Sequence, residues 1–144
     1  VRAGLLDLLA ADLPDASCCD LFAGTGALGL EAISRGARRC DFVETRPSSL
    51  AALKSNVVKF RLKERTRIFK KDALPFAGQL NEGAYDLVFC DPPYESRMLD
   101  RVIESWQARR FSKVLAVEHA RVHKLPKGAF TKAFEDSAIT IYRL

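Results

Sequence analysis

Apolar positions along the chain alternate between two spacings. Residues 3–11 (AGLLDLLAA) place apolar side chains three and four apart, which predicts a helix, and Pro14 stops it. Residues 17–22 (SCCDLF) form a short apolar run that enters Gly24-Thr25-Gly26, as a strand entering a turn. A second helix is predicted over 27–35, closed by Gly36. Residues 40–44 (CDFVE) predict a second strand, and Pro47 suits the first turn of a helix whose pattern reaches Phe60. Short strands follow at 66–69 and at 85–90 (YDLVFC), the latter apolar through its centre, as a strand covered on both faces should be. A helix over 97–108, a strand over 114–118 and two strands near 130–135 and 138–143 complete the pattern. The last two are separated only by Asp136-Ser137, a connection so short that the pair must be antiparallel.

This alternation predicts an α/β fold: an open, mainly parallel sheet with one reversed strand near its edge. No internal repeat, low-complexity segment or long linker divides the chain, so residues 1–144 are expected to form a single domain. Sheets of this kind bind ligands outside the carboxyl ends of their strands. The motifs that carry chemistry all follow predicted strand ends.

Asp20-Leu21-Phe22-Ala23-Gly24-Thr25-Gly26-Ala27-Leu28-Gly29 reads as strand, tight turn and helix start. Glycine at such a turn lets a ligand approach the backbone without meeting a Cβ, and the helix start offers free N–H groups. Glu44 ends the next strand, 20 residues after Gly24, where a carboxylate can accept hydrogen bonds from both hydroxyls of a ribose. Loop and acid together predict an adenosine-type cofactor, and both NAD and S-adenosylmethionine (SAM) satisfy that geometry. Asp20 leans toward SAM: a carboxylate ahead of the glycines suits a methionine ammonium and would repel a pyrophosphate. Asp72-Ala73, after the third strand, is placed either to bind an adenine amino group or to cap a loop.

Asp91-Pro92-Pro93-Tyr94 follows the buried fourth strand directly. Two consecutive prolines remove two N–H donors and fix two φ angles, leaving rigid carbonyl acceptors. Asp91 adds an acceptor-only carboxylate and Tyr94 a flat ring. This set suits a planar heteroaromatic amine. Hydrogen bonds from both amino N–H groups to Asp91 and the Pro92 carbonyl would favour the pyramidal nitrogen of a methyl-transfer transition state, with Tyr94 stacked on an unpaired base.

The segments DLFAGTGALGLEA (Asp20–Ala32), FVE (Phe42–Glu44), the L-x-x-N of Leu53–Asn56, DA (Asp72–Ala73) and YDLVFCDPPY (Tyr85–Tyr94) occur in an order and spacing that resembles the RsmD family, bacterial 16S ribosomal RNA guanine-N2 methyltransferases. The resemblance covers essentially the whole chain. It implies a Rossmann-like SAM-dependent fold, a seven-stranded, mainly parallel sheet with one antiparallel strand and helices on both faces. It implies SAM as cofactor and the 2-amino group of a guanine in small-subunit (16S) rRNA as target, within a small-subunit particle. By motif match Asp20, Phe22, Ala23, Gly24, Gly26, Glu44, Asp72 and Ala73 would line the cofactor pocket, and Asp91, Pro92, Pro93 and Tyr94 would hold the guanine. The alternatives are an amino-methyltransferase acting on adenine or cytosine in DNA or another RNA, and an NAD(P)-linked oxidoreductase. Two departures stand out. Family members carry a further upstream segment, often basic, ahead of the point where this chain begins, and an acid often found two residues after the ribose-binding Glu is here Arg46.

Composition adds bounds. A net charge of +5 and a pI near 9.2 fit a nucleic-acid partner. Arg2 and Arg97 are candidate RNA contacts by position, while the basic run from Lys59 to Lys71 reads as solvated surface. His119 and His123 read as ordinary surface or strand-end residues. The cysteines form no C-x-x-C pair, so no metal site is expected, and Cys19, Cys40 and Cys90 read as reduced core residues. No apolar run approaches the roughly 18 residues of a membrane helix. A cytoplasmic monomer is expected.

Overall fold

In the computed structural model, which describes residues 2–92, 97–128 and 130–144, the most apolar strands lie at the middle of one sheet. The strands are β1 (Ser17–Leu21), β2 (Arg39–Val43), β3 (Thr66–Phe69), β4 (Tyr85–Cys90), β5 (Ser112–Ala120), β6 (Phe130–Ala133) and β7 (Ser137–Arg143), in the spatial order β3-β2-β1-β4-β5-β7-β6. β1 to β5 are mutually parallel, and β7 runs antiparallel to both β5 and β6. The predicted sheet with one reversed strand near its edge is therefore the observed one. From β1 the chain builds outward through β2 to β3, then returns to place β4 on the other side of β1. Ligands bind at such a reversal of strand order, and it brings the glycine turn after β1 beside Asp91 after β4.

Period-two alternation sends successive strand residues to opposite faces, and each face has its own core. Helices α1 (Arg2–Leu8), α2 (Ala27–Ser34) and α3 (Pro47–Lys59) bury Leu5, Leu30, Ile33 and Leu53 against Cys18, Phe42, Leu87 and Phe89. On the opposite face α4 (Ala73–Gly78) and α5 (Met98–Arg109) bury Ala77, Val102 and Trp106 against Leu21, Val88 and Leu115. Cys18, Cys19, Cys40 and Cys90 are all buried free thiols. No helix among the described residues is long and apolar enough to cross a membrane.

The structure differs from the sequence reading in three places. α1 ends at Leu8, and looser turns carry the buried Leu9 and Leu13 onward. The six-residue α4 was not expected, because one and a half turns show no measurable period and Pro75 and Gly78 read as breakers. β5 runs from 112 to 120, longer at both ends than its apolar centre. Away from the strand ends that carry the motifs, Asp41 is fully buried and accepts hydrogen bonds from Arg67 Nε and Nη2 (2.9 and 2.7 Å) and from the Tyr85 hydroxyl (2.7 Å). This network ties β2, β3 and β4 together.

Candidate active site

The turn after β1 is held in a shape that side chains resist. Phe22, Gly24 and Gly26 have φ of 58°, 59° and 83°, the left-handed region. Gly26 is required twice over, since a Cβ there would also run into Leu53 Cδ1. The L-x-x-N pair supports the turn from α3: Leu53 lies beneath Gly26, and Asn56 Nδ2 donates to the Thr25 carbonyl at 3.1 Å. Asp20 is buried under the turn and accepts the Gly29 N–H at 3.3 Å, which anchors the start of α2. Burial raises its pKa well above the ordinary value, the Gly29 N–H opposes that rise, and the charges of Asp91 and Glu44 add to it.

Glu44 is buried, and its carboxylate is engaged on both oxygens. Oε1 accepts the Gly24 N–H (2.8 Å) and Arg46 Nη2 (3.2 Å). Oε2 accepts the N–H groups of Thr45 and Arg46 (both 2.9 Å) and Arg46 Nε (3.2 Å). Burial alone would raise the Glu44 pKa, but the Arg46 side chain and these backbone donors outweigh it and hold the carboxyl at about 2. A carboxylate offers roughly four lone-pair sites, so five donors saturate it. The Arg46 guanidinium therefore takes up acceptor capacity on both Glu44 oxygens. Its side chain is 66% exposed, which leaves it free to swing outward.

Two cavities meet here. One of about 350 Å³ is lined by Leu5, Ala23, Gly24, Thr25, Leu28 and Glu118. The other, of about 580 Å³, is lined by Glu44, Asp72, Ala73, Leu74, Pro92 and Met98. Phe22, Arg46 and Asp91 line both, so they form the partition of a single cleft. Asp72 occupies the residue before α4 but makes no side-chain capping bond, which leaves its carboxylate to the cavity. Asp91 keeps an exposed edge, yet desolvation in the cleft raises its pKa above the ordinary value.

Of the residues singled out in the sequence, Phe22, Ala23, Gly24, Glu44, Asp72, Ala73, Asp91 and Pro92 line this cleft. Asp20 and Gly26 lie behind its wall, shaping the turn. Pro93 and Tyr94 fall outside the described residues. Arg97 is exposed just before α5 and lines neither cavity, and Arg2 opens α1. His119 is buried and its ring shares a 2.8 Å hydrogen bond with Thr140 Oγ1. Sequence reasoning missed Glu118. The available signal was that it ends a strand predicted to follow the Asp-Pro turn, but its neighbour depends on strand order.

A family model described as "Conserved hypothetical protein 95" matches residues 1–138. The chain belongs to this family. Ribosomal RNA small subunit methyltransferase D of Escherichia coli is 35% identical over 103 residues, 72% of this chain and 51% of the relative. The protein of the same name from Haemophilus influenzae is 31% identical over 105 residues, covering 72% and 54%. The chain spans about a quarter to three-fifths of the length of the curated relatives it matches. A solved structure of a conserved hypothetical protein from Streptococcus pyogenes superposes with a TM-score of 0.88 at 27% identity, covering 99% of this chain and 94% of that one. The resemblance to the RsmD family and the expected Rossmann-like, seven-stranded fold are thus both borne out.

Proposed function

We propose that residues 1–144 form one SAM-dependent methyltransferase domain that acts on the exocyclic 2-amino group of a guanine in small-subunit rRNA, within a small-subunit particle. The observation that carries this reading is the shared wall of the cleft. Asp91 borders both the cavity under the glycine turn and the one beside Glu44 and Asp72, so amine acceptors and cofactor ligands face one space. The names of the E. coli and H. influenzae relatives support rRNA as substrate, and the RsmD resemblance supports the guanine 2-amino group.

The residues present fit SAM. The left-handed turn presents backbone where side chains would intrude, Asp72, which makes no side-chain hydrogen bond among the described residues, offers an acceptor to an adenine amino group, and Glu44 offers one to the ribose once Arg46 swings away. Bound SAM supplies an electrophilic methyl group. The protein's own part is to hold the amine. The Asp91 carboxylate and the Pro92 carbonyl accept its two N–H groups, which localises the nitrogen lone pair, and Asp91 takes the proton released after attack. Its raised pKa suits that role, because a carboxylate of ordinary pKa is a poorer base.

The test has two arms. Calorimetric titration should show binding of S-adenosylhomocysteine and none of NADH. Labelled SAM should then transfer its methyl group to under-methylated small subunits and not to duplex DNA. Binding of NADH alone would overturn the cofactor assignment, and label in DNA adenine or cytosine would replace the rRNA substrate.

A further inference from the structure

Glu118 is an acid that the fold adds to the Asp-Pro turn. β4 and β5 run parallel with Cys90 in register with Val117. Asp91 is the residue just past the end of β4 and Glu118 continues β5, on neighbouring chain paths about 4.8 Å apart. By alternation along β5 Glu118 falls on the face of Val114 and Ala116, the side covered by α1 and α2, and Asp91 reaches the cavity there as well. Both line the same cavity of about 350 Å³. Among the described residues, Glu118 takes part in no side-chain hydrogen bond or ion pair, whereas Glu44, Asp41, Asp86 and Asp100 all do. Its carboxyl is half-buried, and burial first, then the charge of Asp91, raise its pKa. Arg46 lines the same cavity, but its guanidinium is engaged by Glu44, so the Glu118 carboxyl keeps acceptor capacity that a ligand N–H can use.

Base chemistry says which donor. The amino groups of adenine and cytosine stand next to a ring nitrogen that carries a lone pair. The 2-amino group of guanine stands between N3, a lone pair, and N1–H, a donor that neither of the other amino groups has beside it. A second carboxylate beside the amine acceptors matches guanine and opposes the other two. Resting on the methyltransferase reading above, we infer that Glu118 accepts the N1–H of the target guanine while Asp91 and the Pro92 carbonyl hold its 2-amino group, which makes Glu118 the residue that selects guanine.

The experiment replaces the guanine that the wild-type protein labels with 2-aminopurine, introduced into rRNA by splinted ligation. This base keeps the 2-amino group but presents a lone pair at N1. Sites built to hydrogen-bond a substrate N–H reject analogues lacking it by factors up to 10⁴–10⁵, and in this half-open cleft the wild-type ratio of kcat/KM, guanine over 2-aminopurine, should be about 100. Glu118→Gln can turn an amide N–H toward the lone pair, so its ratio should fall below about tenfold. Glu118→Ala, which only deletes the acceptor, should also fall below that value and serves if the Gln variant fails to fold, as read by its melting curve. The 6-oxygen also differs between the two bases, but its contribution cancels when ratios are compared between variants. A ratio unchanged by either substitution, or a wild type that methylates both bases alike, would overturn the assignment of Glu118. Absence of wild-type label in any guanine would instead overturn the function on which it rests.

Discussion

Replacing Arg46 with alanine should tighten cofactor binding, the opposite of what losing a positive charge in a ligand cleft usually does. Glu44 accepts five hydrogen bonds, three from backbone and two from the Arg46 guanidinium. Ribose hydroxyls can reach its carboxylate only by displacing the two side-chain donors. Because the Arg46 side chain is 66% exposed, water screens the pair. Such pairs contribute ~0.2–1 kcal/mol. Binding that must break the pair loses about that much, so Arg46→Ala should lower the Kd for S-adenosylhomocysteine about 1.4- to fivefold. Titration calorimetry at low and high salt reads this directly, and the gain should shrink as salt weakens the pair in the wild type. An analogue lacking both ribose hydroxyls does not compete for Glu44, so its affinity should not change. Weaker binding in Arg46→Ala would refute the reasoning and show that the guanidinium supports the bound state.

Other consequences are separable from that one. Gly26→Ala must adopt a φ of 83° and meet Leu53, so it should cost ~1–3 kcal/mol in urea unfolding and also weaken S-adenosylhomocysteine binding. Asp41→Ala leaves the Tyr85 hydroxyl and Arg67 without their acceptor, with an expected loss of ~1–3 kcal/mol in urea unfolding and little change in ligand affinity. The Glu44 carboxyl, held at about 2 in the folded protein, gives stability that is complete above the ordinary Glu pKa of ~4.3 and is lost as pH falls from there toward 2. Acid melting of Glu44→Gln should therefore be flatter than wild type across that window, and parallel curves would exclude the role.

What the sequence showed, and what it hid, follows from the range of each interaction. Strands, the glycine turn and the terminal hairpin were legible because period, glycine and proline act within a few residues. The spacing of Glu44 from Gly24 was also informative, since one strand–helix–strand unit fixes it, and the Gly24 N–H indeed donates to Glu44. α4 escaped because six residues are too short to reveal a period. The hydrogen bond from the Gly29 N–H to Asp20 was not legible, because it links the end of one strand to the next helix across the turn. Arg46 was visible as a departure from the family pattern, but only side-chain packing shows it folded back on Glu44. Glu118 needed strand order: it lies 27 residues beyond Asp91 in sequence, yet both follow directly on the Cys90–Val117 pairing.

The measurement that tests the central claim most directly is the identity of the methylated nucleoside. Under-methylated small subunits would be incubated with isotope-labelled SAM and the protein, then digested to nucleosides and resolved by mass spectrometry. The account predicts label in N2-methylguanosine alone, abolished in Asp91→Ala while that variant still binds S-adenosylhomocysteine. Label in any other nucleoside, or undiminished N2-methylguanosine without the Asp91 carboxylate, would contradict it.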